Sequence, residues 1–197
     1  MSDPCTTVAV SAPALEAYHY PKQYEQFLSE VDGHEMTVLH EDGLHRHLRF
    51  ARPGTSMWHF DLVTWPGYLA MVGDIGDGYI FRSTDDMLAF FDHGQADGWI
   101  NPGYWGEKLF RGGVRSVQTF SADRFRAWCA EDGIRNLDFD DIDSTEEAID
   151  ALNDGEHAWD FEAPEAWRDF DHHYLLSLHA ILWGAKRYHA IRQAVSA

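Results

Sequence analysis

Basic residues are scarce. Lys and Arg number 15 against 33 Asp and Glu, so the net charge is −18 with histidine neutral. That balance argues against a grip on nucleic acid through a basic patch, and against a surface drawn to anionic lipid. Long apolar runs are missing too, since none approaches the ~20 residues of a membrane span. Residues 1–22 contain neither a basic n-region nor a compact apolar stretch, and do not read as a secretory signal. Only 2 cysteines occur, Cys5 and Cys129, too few and too far apart for a disulfide framework or a zinc knot. The expectation is a soluble cytoplasmic chain. Its 197 residues, 45% hydrophobic and 14% aromatic, suffice for one sizeable core.

Familiar catalytic signatures are also missing. There is no Walker lysine and no Gly-x-Ser-x-Gly elbow. The glycine-rich run from Gly73 to Gly78 joins two short strand patterns and does not open a helix, so it reads as a hairpin turn. The acidic run Asp138–Asp143 lacks the glycine and glutamate of an EF-hand loop. Cys129 lies on the apolar side of a helical pattern beside Trp128, which points to a buried thiol. No cofactor and no resident metal are expected.

What is present begins with a change of period. Residues 1–12 carry no pattern and read as a loose arm ahead of a single α+β domain over 13–197. Pro21 opens a helix with Tyr24, Phe27, Leu28 and Val31 on one face, closed by Asp32 and Gly33. From Met36 to Arg82 the period becomes two, over Met36–Glu41, Leu44–Arg52, Met57–Thr64, Tyr68–Asp74 and Tyr79–Arg82. Connections this short permit hairpins and not parallel crossovers, so an antiparallel β-meander of four to five strands is predicted.

Helices follow. One carries Met87, Leu88, Phe90 and Phe91 behind a capping sequence at Ser83–Asp86, and a short one is capped by Asn101 and Pro102. Val114–Phe120 reads as a strand. Ser121 starts a helix bearing Phe125, Trp128 and Cys129, and Ser144–Glu147 caps another that Gly155 ends. A long amphipathic helix is predicted from Pro164, with Trp167, Phe170, Tyr174, Leu178, Ile181, Ala185 and Tyr188 as its stripe.

Two features could carry chemistry. Alternation puts His45, His47 and Arg49 on one strand face, and His59 and Asp61 share a face of the next. A five-residue loop over 52–56 sets Arg49 opposite His59 and His47 opposite Asp61. These four residues, His47, Asp61, Arg49 and His59, are the candidate catalytic set for a small enzyme working with or without a metal, since such a cluster can bind a metal or orient an imidazole for general-base work. The competing reading is the wet face of an antiparallel sheet. A second cluster, Glu165, Asp169, His172 and His179, falls on one stripe of the final helical pattern.

The other feature is charge placement. From Asp138 to Asp171 there are fourteen acids and one base, Arg168, which is −13 in 34 residues. Aromatic residues are interleaved, among them Phe139, Trp159, Phe161, Trp167 and Phe170. Acids on a scaffold with aromatic anchors fit a basic groove, including one that normally holds nucleic acid. The candidate partner-binding residues are Asp138, Asp140, Asp141, Asp143, Glu146, Glu147, Asp150, Asp154 and Trp159. A solvated strip that only maintains solubility is the alternative.

The segments LHRHLRFARP (44–53), FDLVTWPG (60–67), GD (73–74) with YIF (79–81), NPGYWGEKL (101–109) and AILWG (180–184) resemble a family of bacteriophage and prophage proteins with no known activity. The resemblance covers roughly residues 30–110 and the final helix. It implies a viral origin and the host bacterial cytoplasm as the setting. By association, it implies an interaction protein whose partner is a bacterial host protein or defence complex, without direct nucleic-acid binding.

Overall fold

A computed structural model describes residues 20–134, 137–139, 141–153 and 163–196. The predicted arm over 1–12 lies outside them. The chain forms two compact units, one up to residue 114 and again from 172, the other over 115–171.

The first unit begins with helix α1, Pro21–Glu30, with proline in its first turn and Phe27 fully buried. Five strands follow: β1 Glu35–Asp42, β2 His45–Ala51, β3 Phe60–Trp65, β4 Tyr68–Gly73 and β5 Tyr79–Arg82. They pair in chain order, each antiparallel to the next. The turns explain the order. Pro66 and Gly67 alone separate Trp65 from its partner Tyr68, and Gly67 has φ +83, which only glycine adopts cheaply at that turn position. The glycine-rich segment after Gly73 is the β4–β5 hairpin turn, as its pattern predicts.

One sheet face is apolar. Leu48, Phe50, Phe60, Leu62, Leu69, Met71 and Phe81 are all fully buried there. Helix α6, His172–Ser196, packs against this sheet and against α1 and α2, the latter being Met87–Phe91. The predicted stripe widens in consequence, and every residue from 174 to 182 is buried. Gly184 permits the approach, because a Cβ there would stand 3.0 Å from Phe50 Cζ and 2.7 Å from Leu62 Cδ1. Phe50 and Phe60 stack at 4.7 Å, with the Trp183 ring edge-on to Phe50 at 5.6 Å. Helix α3, Pro102–Gly106, is tied to α6 by the Tyr174 hydroxyl, which donates to Pro102 O at 2.9 Å.

The second unit holds a two-stranded ribbon, β6 Gln118–Phe120 with β7 Arg168–Phe170, and helices α4 Ala122–Glu131 and α5 Thr145–Asn153. Its core joins Phe125, Cys129, Ile142, Ala148, Leu152 and Trp167. The Ser144 cap forms as predicted: Glu147 N–H donates to Ser144 Oγ, and Asp143 N–H to the Glu147 carboxylate.

The α+β class therefore holds, with its meander and its long C-terminal helix. Several local expectations do not. Residues 165–167 form a 3₁₀ turn and 168–170 pair as β7, so the final helix starts at His172 and not at Pro164. Residues 114–117 are likewise a 3₁₀ turn, and only Gln118–Phe120 is strand. The residue that caps α2 is Asp86, whose carboxylate accepts the Leu88 and Ala89 N–H groups.

Candidate functional site

The β2–β3 pairing places the polar cluster. Its register sets Phe50 against Phe60, Arg49 against Asp61 and His47 against Val63. This is a slip of two residues from the expected pairing, so faces are kept and opposites change. The cause lies in the connection: residues 52–59 are all loop, and Trp58 takes φ +59 with its carbonyl held by His34 Nε2 at 2.9 Å. The slip seats Phe50 on Phe60 in the core.

On the other face, Asp61 is the hub. Arg49 donates to both its oxygens, Nε to Oδ1 and Nη2 to Oδ2, each at 2.8 Å. His47 Nε2 donates to Oδ2, also at 2.8 Å, reaching diagonally across the ladder. The Asp61 side chain is 8% exposed, that of His47 34% and that of Arg49 45%. Burial alone raises the Asp61 pKa, yet the hydrogen bonds and charges of Arg49 and His47 outweigh it and hold the carboxyl below its ordinary value. The result is a bidentate Arg–Asp pair with an imidazole docked on it and turned outward to water.

His59 does not join this group. Its Nδ1 donates to Ser56 O at 2.9 Å and to Asp74 Oδ2 at 3.0 Å, because the slip moves it off the ladder. His40, His45 and His47 border a shallow depression with Asp42 and Trp65. Among the described residues, no group of three or more His, Cys, Asp or Glu is arranged to hold a metal ion.

The second predicted cluster is dispersed. Glu165 lies in the 3₁₀ turn and accepts from Arg115 at 2.8 Å, while Asp169 lies on β7 and accepts from Arg124 at 3.1 Å. Neither is on a helix with His172 or with buried His179, whose ring stacks near Tyr24 and Phe27.

The acidic segment forms a rind over the core of the second unit. Asp138, Asp141, Asp143, Glu146, Glu147 and Asp150 are exposed, whereas Ile142, Ala148 and Leu152 between them are buried. Asp140, Asp154 and Trp159 lie outside the described residues. The aromatic neighbours turn inward: Trp167 is 1% exposed, and Phe139 packs against Phe125 at 6.0 Å. Trp167 is core, and Phe139 is half-buried against that core. Glu147 is set apart from the other acids, because the Asp143 N–H bonded to it lowers its pKa. Cys129 is fully buried in the same core and burial pushes its thiol pKa up, in keeping with an unreactive side chain.

Sequence reasoning missed one feature, a cavity of about 620 Å³ beside α2 and α3. Phe90, Trp99, Tyr104 and Trp105 supply its aromatic wall, with Asp85, Asp86 and Asn101 on its polar side. The signal was in view, since both capping sequences and the NPGYW segment contribute to it, but each satisfied a local role first. Asp86, for example, also receives both terminal nitrogens of Arg46, at 2.9 and 3.0 Å.

No helix among the described residues is long and apolar enough to cross a membrane. Comparison with known proteins finds no matching family model, no similar curated protein and no similar solved structure.

Proposed function

We propose that the chain acts by protein–protein interaction, as a phage accessory protein that binds and inhibits a bacterial nucleic-acid-handling or anti-phage defence complex in the host cytoplasm. The acidic rind of the second unit is the contact surface, its carboxylates occupying a groove made for nucleic acid. One observation carries this reading: Asp141, Asp143, Glu146 and Asp150 all face water along α5 and the turn before it. No Lys or Arg occurs from residue 136 to 167 to neutralise them. Charges on a preformed, capped helix spare the backbone ordering cost of binding, and complementarity with a basic groove gives fast, salt-sensitive encounter.

The test is capture of partners from bacterial lysate by the purified chain, at low salt and at ~0.5 M, where the Debye length is a few Å. A partner lost at high salt, displaced by added duplex DNA and not retained by the Asp141→Lys/Asp143→Lys/Glu146→Lys/Asp150→Lys variant is the expected result. Equal retention by that variant would sink the electrostatic reading. Glu147 is left intact because its carboxylate caps the helix.

The His47–Asp61 bond at 2.8 Å favours a second reading, a small enzyme in which a buried carboxylate orients a half-buried imidazole as general base. His47→Ala would then abolish a turnover that the charge-reversed variant keeps.

A further inference from the structure

We propose that the cavity beside α2 and α3 is a binding site for a small organic cation with an alkylated ammonium head. Its volume of about 620 Å³ falls within the range of small-molecule sites. Four aromatic side chains line it, set at varied angles. Trp99 and Trp105 are nearly perpendicular, 80° at 6.5 Å, and Phe90 and Tyr104 are inclined by 39° at 6.0 Å. Trp105 is buried and backs the wall, while Phe90, Trp99 and Tyr104 keep part of their surface open to the cavity, and such π surfaces attract a quaternary ammonium ion.

Charge points the same way. No lysine or arginine lines the cavity, whereas Asp85 and Asp86 do. Asp86 is already committed, to Arg46 and to the N–H groups of Leu88 and Ala89. The Asp85 carboxylate is exposed and makes no hydrogen bond or ion pair among the described residues. It is the anion left for a ligand, and it disfavours a carboxylate or phosphate as occupant. Tyr104 is 45% exposed, and Lys108 Nζ, outside the lining residues, makes a cation–π contact 4.3 Å from its ring centroid. His93 also lines the cavity, but an aromatic wall, one free carboxylate and no lysine or arginine liner together favour a soft, weakly hydrated cation over an anionic molecule.

This site shares no residue with the acidic rind, so either proposal can fail alone. The experiment titrates the full chain with choline, with its neutral isostere 3,3-dimethylbutan-1-ol, and with Nα-acetyl-trimethyllysine amide, followed by tryptophan fluorescence and calorimetry. The expected result is binding of both cations in the millimolar range or tighter. The neutral isostere should bind at least about tenfold more weakly. Tighter binding of the lysine derivative than of choline would assign the head to a protein side chain, and equal binding to a free metabolite. Asp85→Asn should weaken choline severalfold and leave the isostere unchanged. Tyr104→Ala should weaken it while Tyr104→Phe retains it, and both positions are exposed enough to keep the fold. Equal affinity for choline and isostere would overturn the proposal, as would no binding of either cation, or wild-type choline affinity in both Asp85→Asn and Tyr104→Ala.

Discussion

Asp61 is the position at which the sheet's polar face can be tested most sharply. Asp61→Asn keeps the shape of the side chain but removes its charge, and it turns an NH₂ group toward donors of Arg49 and His47. Three bonds at 2.8 Å converge on the carboxylate. Hydrogen bonds to charged groups contribute roughly 1.5–3 kcal/mol each before screening. The partners are 45% and 34% exposed, so water takes over part of their solvation once the carboxylate is gone. The expected loss is therefore the low end for the whole group, about 2 kcal/mol. Asp61→Leu should cost at least as much as Asp61→Asn, because leucine leaves the donors of Arg49 and His47 with no acceptor, whereas the asparagine Oδ1 still takes one of them. Urea unfolding at pH 7 and pH 3 measures both. Since the folded carboxyl has a lowered pKa, its contribution is complete above the ordinary value of about 4 and disappears as pH falls through the folded value. The gap between wild type and Asp61→Asn must accordingly shrink at pH 3. An Asn variant as stable as wild type at pH 7, or a gap that persists unchanged in acid, would refute the reasoning.

Other expectations follow from packing and capping. Gly184→Ala should lower stability by about 0–2 kcal/mol in thermal unfolding, a crowding cost of roughly 1–3 kcal/mol offset by about 1 kcal/mol of helix propensity. Gly184→Val should cost more, and a stabilised Val variant would show that α6 is not in close contact with Phe50. Ser144→Ala should destabilise the second unit by about 1 kcal/mol, read as faster amide exchange in α5. In a Cys5→Ser background, Cys129 should resist a thiol reagent until denaturant is added, and rapid native labelling would contradict its place in the core. The Asp86 carboxyl is also held below its usual range, burial being outweighed by Arg46 and the N–H groups of α2. Asp86→Asn should thus lose most stability at neutral pH and least in acid, as monitored by circular dichroism.

Much of the first unit was readable because its determinants are local. Proline and glycine at 66 and 67 specify their own turn, and alternation in 45–50 and 60–65 marks which side chains face in. Register is different. It depends on where the chain re-enters the sheet after Pro53, and that is decided by Trp58 in a left-handed conformation and by a bond from His34, twenty-four residues away. The candidate trio survived the error only because a two-residue slip preserves the face, while His59 was lost from it. The same contrast governs the end of the second unit. Trp167 and Phe170 continue the helical spacing of 174–188, yet Phe170 pairs with Gln118 and becomes strand, a choice made by a segment some fifty residues earlier. The acids were plain in composition, but Trp167 and Phe139 look alike as surface anchors or core until their neighbours are placed.

The order of the two units along the chain has a consequence for biosynthesis. Residues 115–171 interrupt the first unit, so the ribosome delivers them between the meander and α6. Until α6 emerges, the apolar face built on Phe50, Phe60 and Leu62 has only the cover of earlier elements such as α1, whose Phe27 meets Phe60, whereas the described core of the second unit lies within its own 57 residues. The intervening unit can therefore fold first during synthesis, while the nascent sheet waits with an open hydrophobic surface. A pause in translation upstream of His172 would lengthen that interval and make the unfinished chain a client for chaperones.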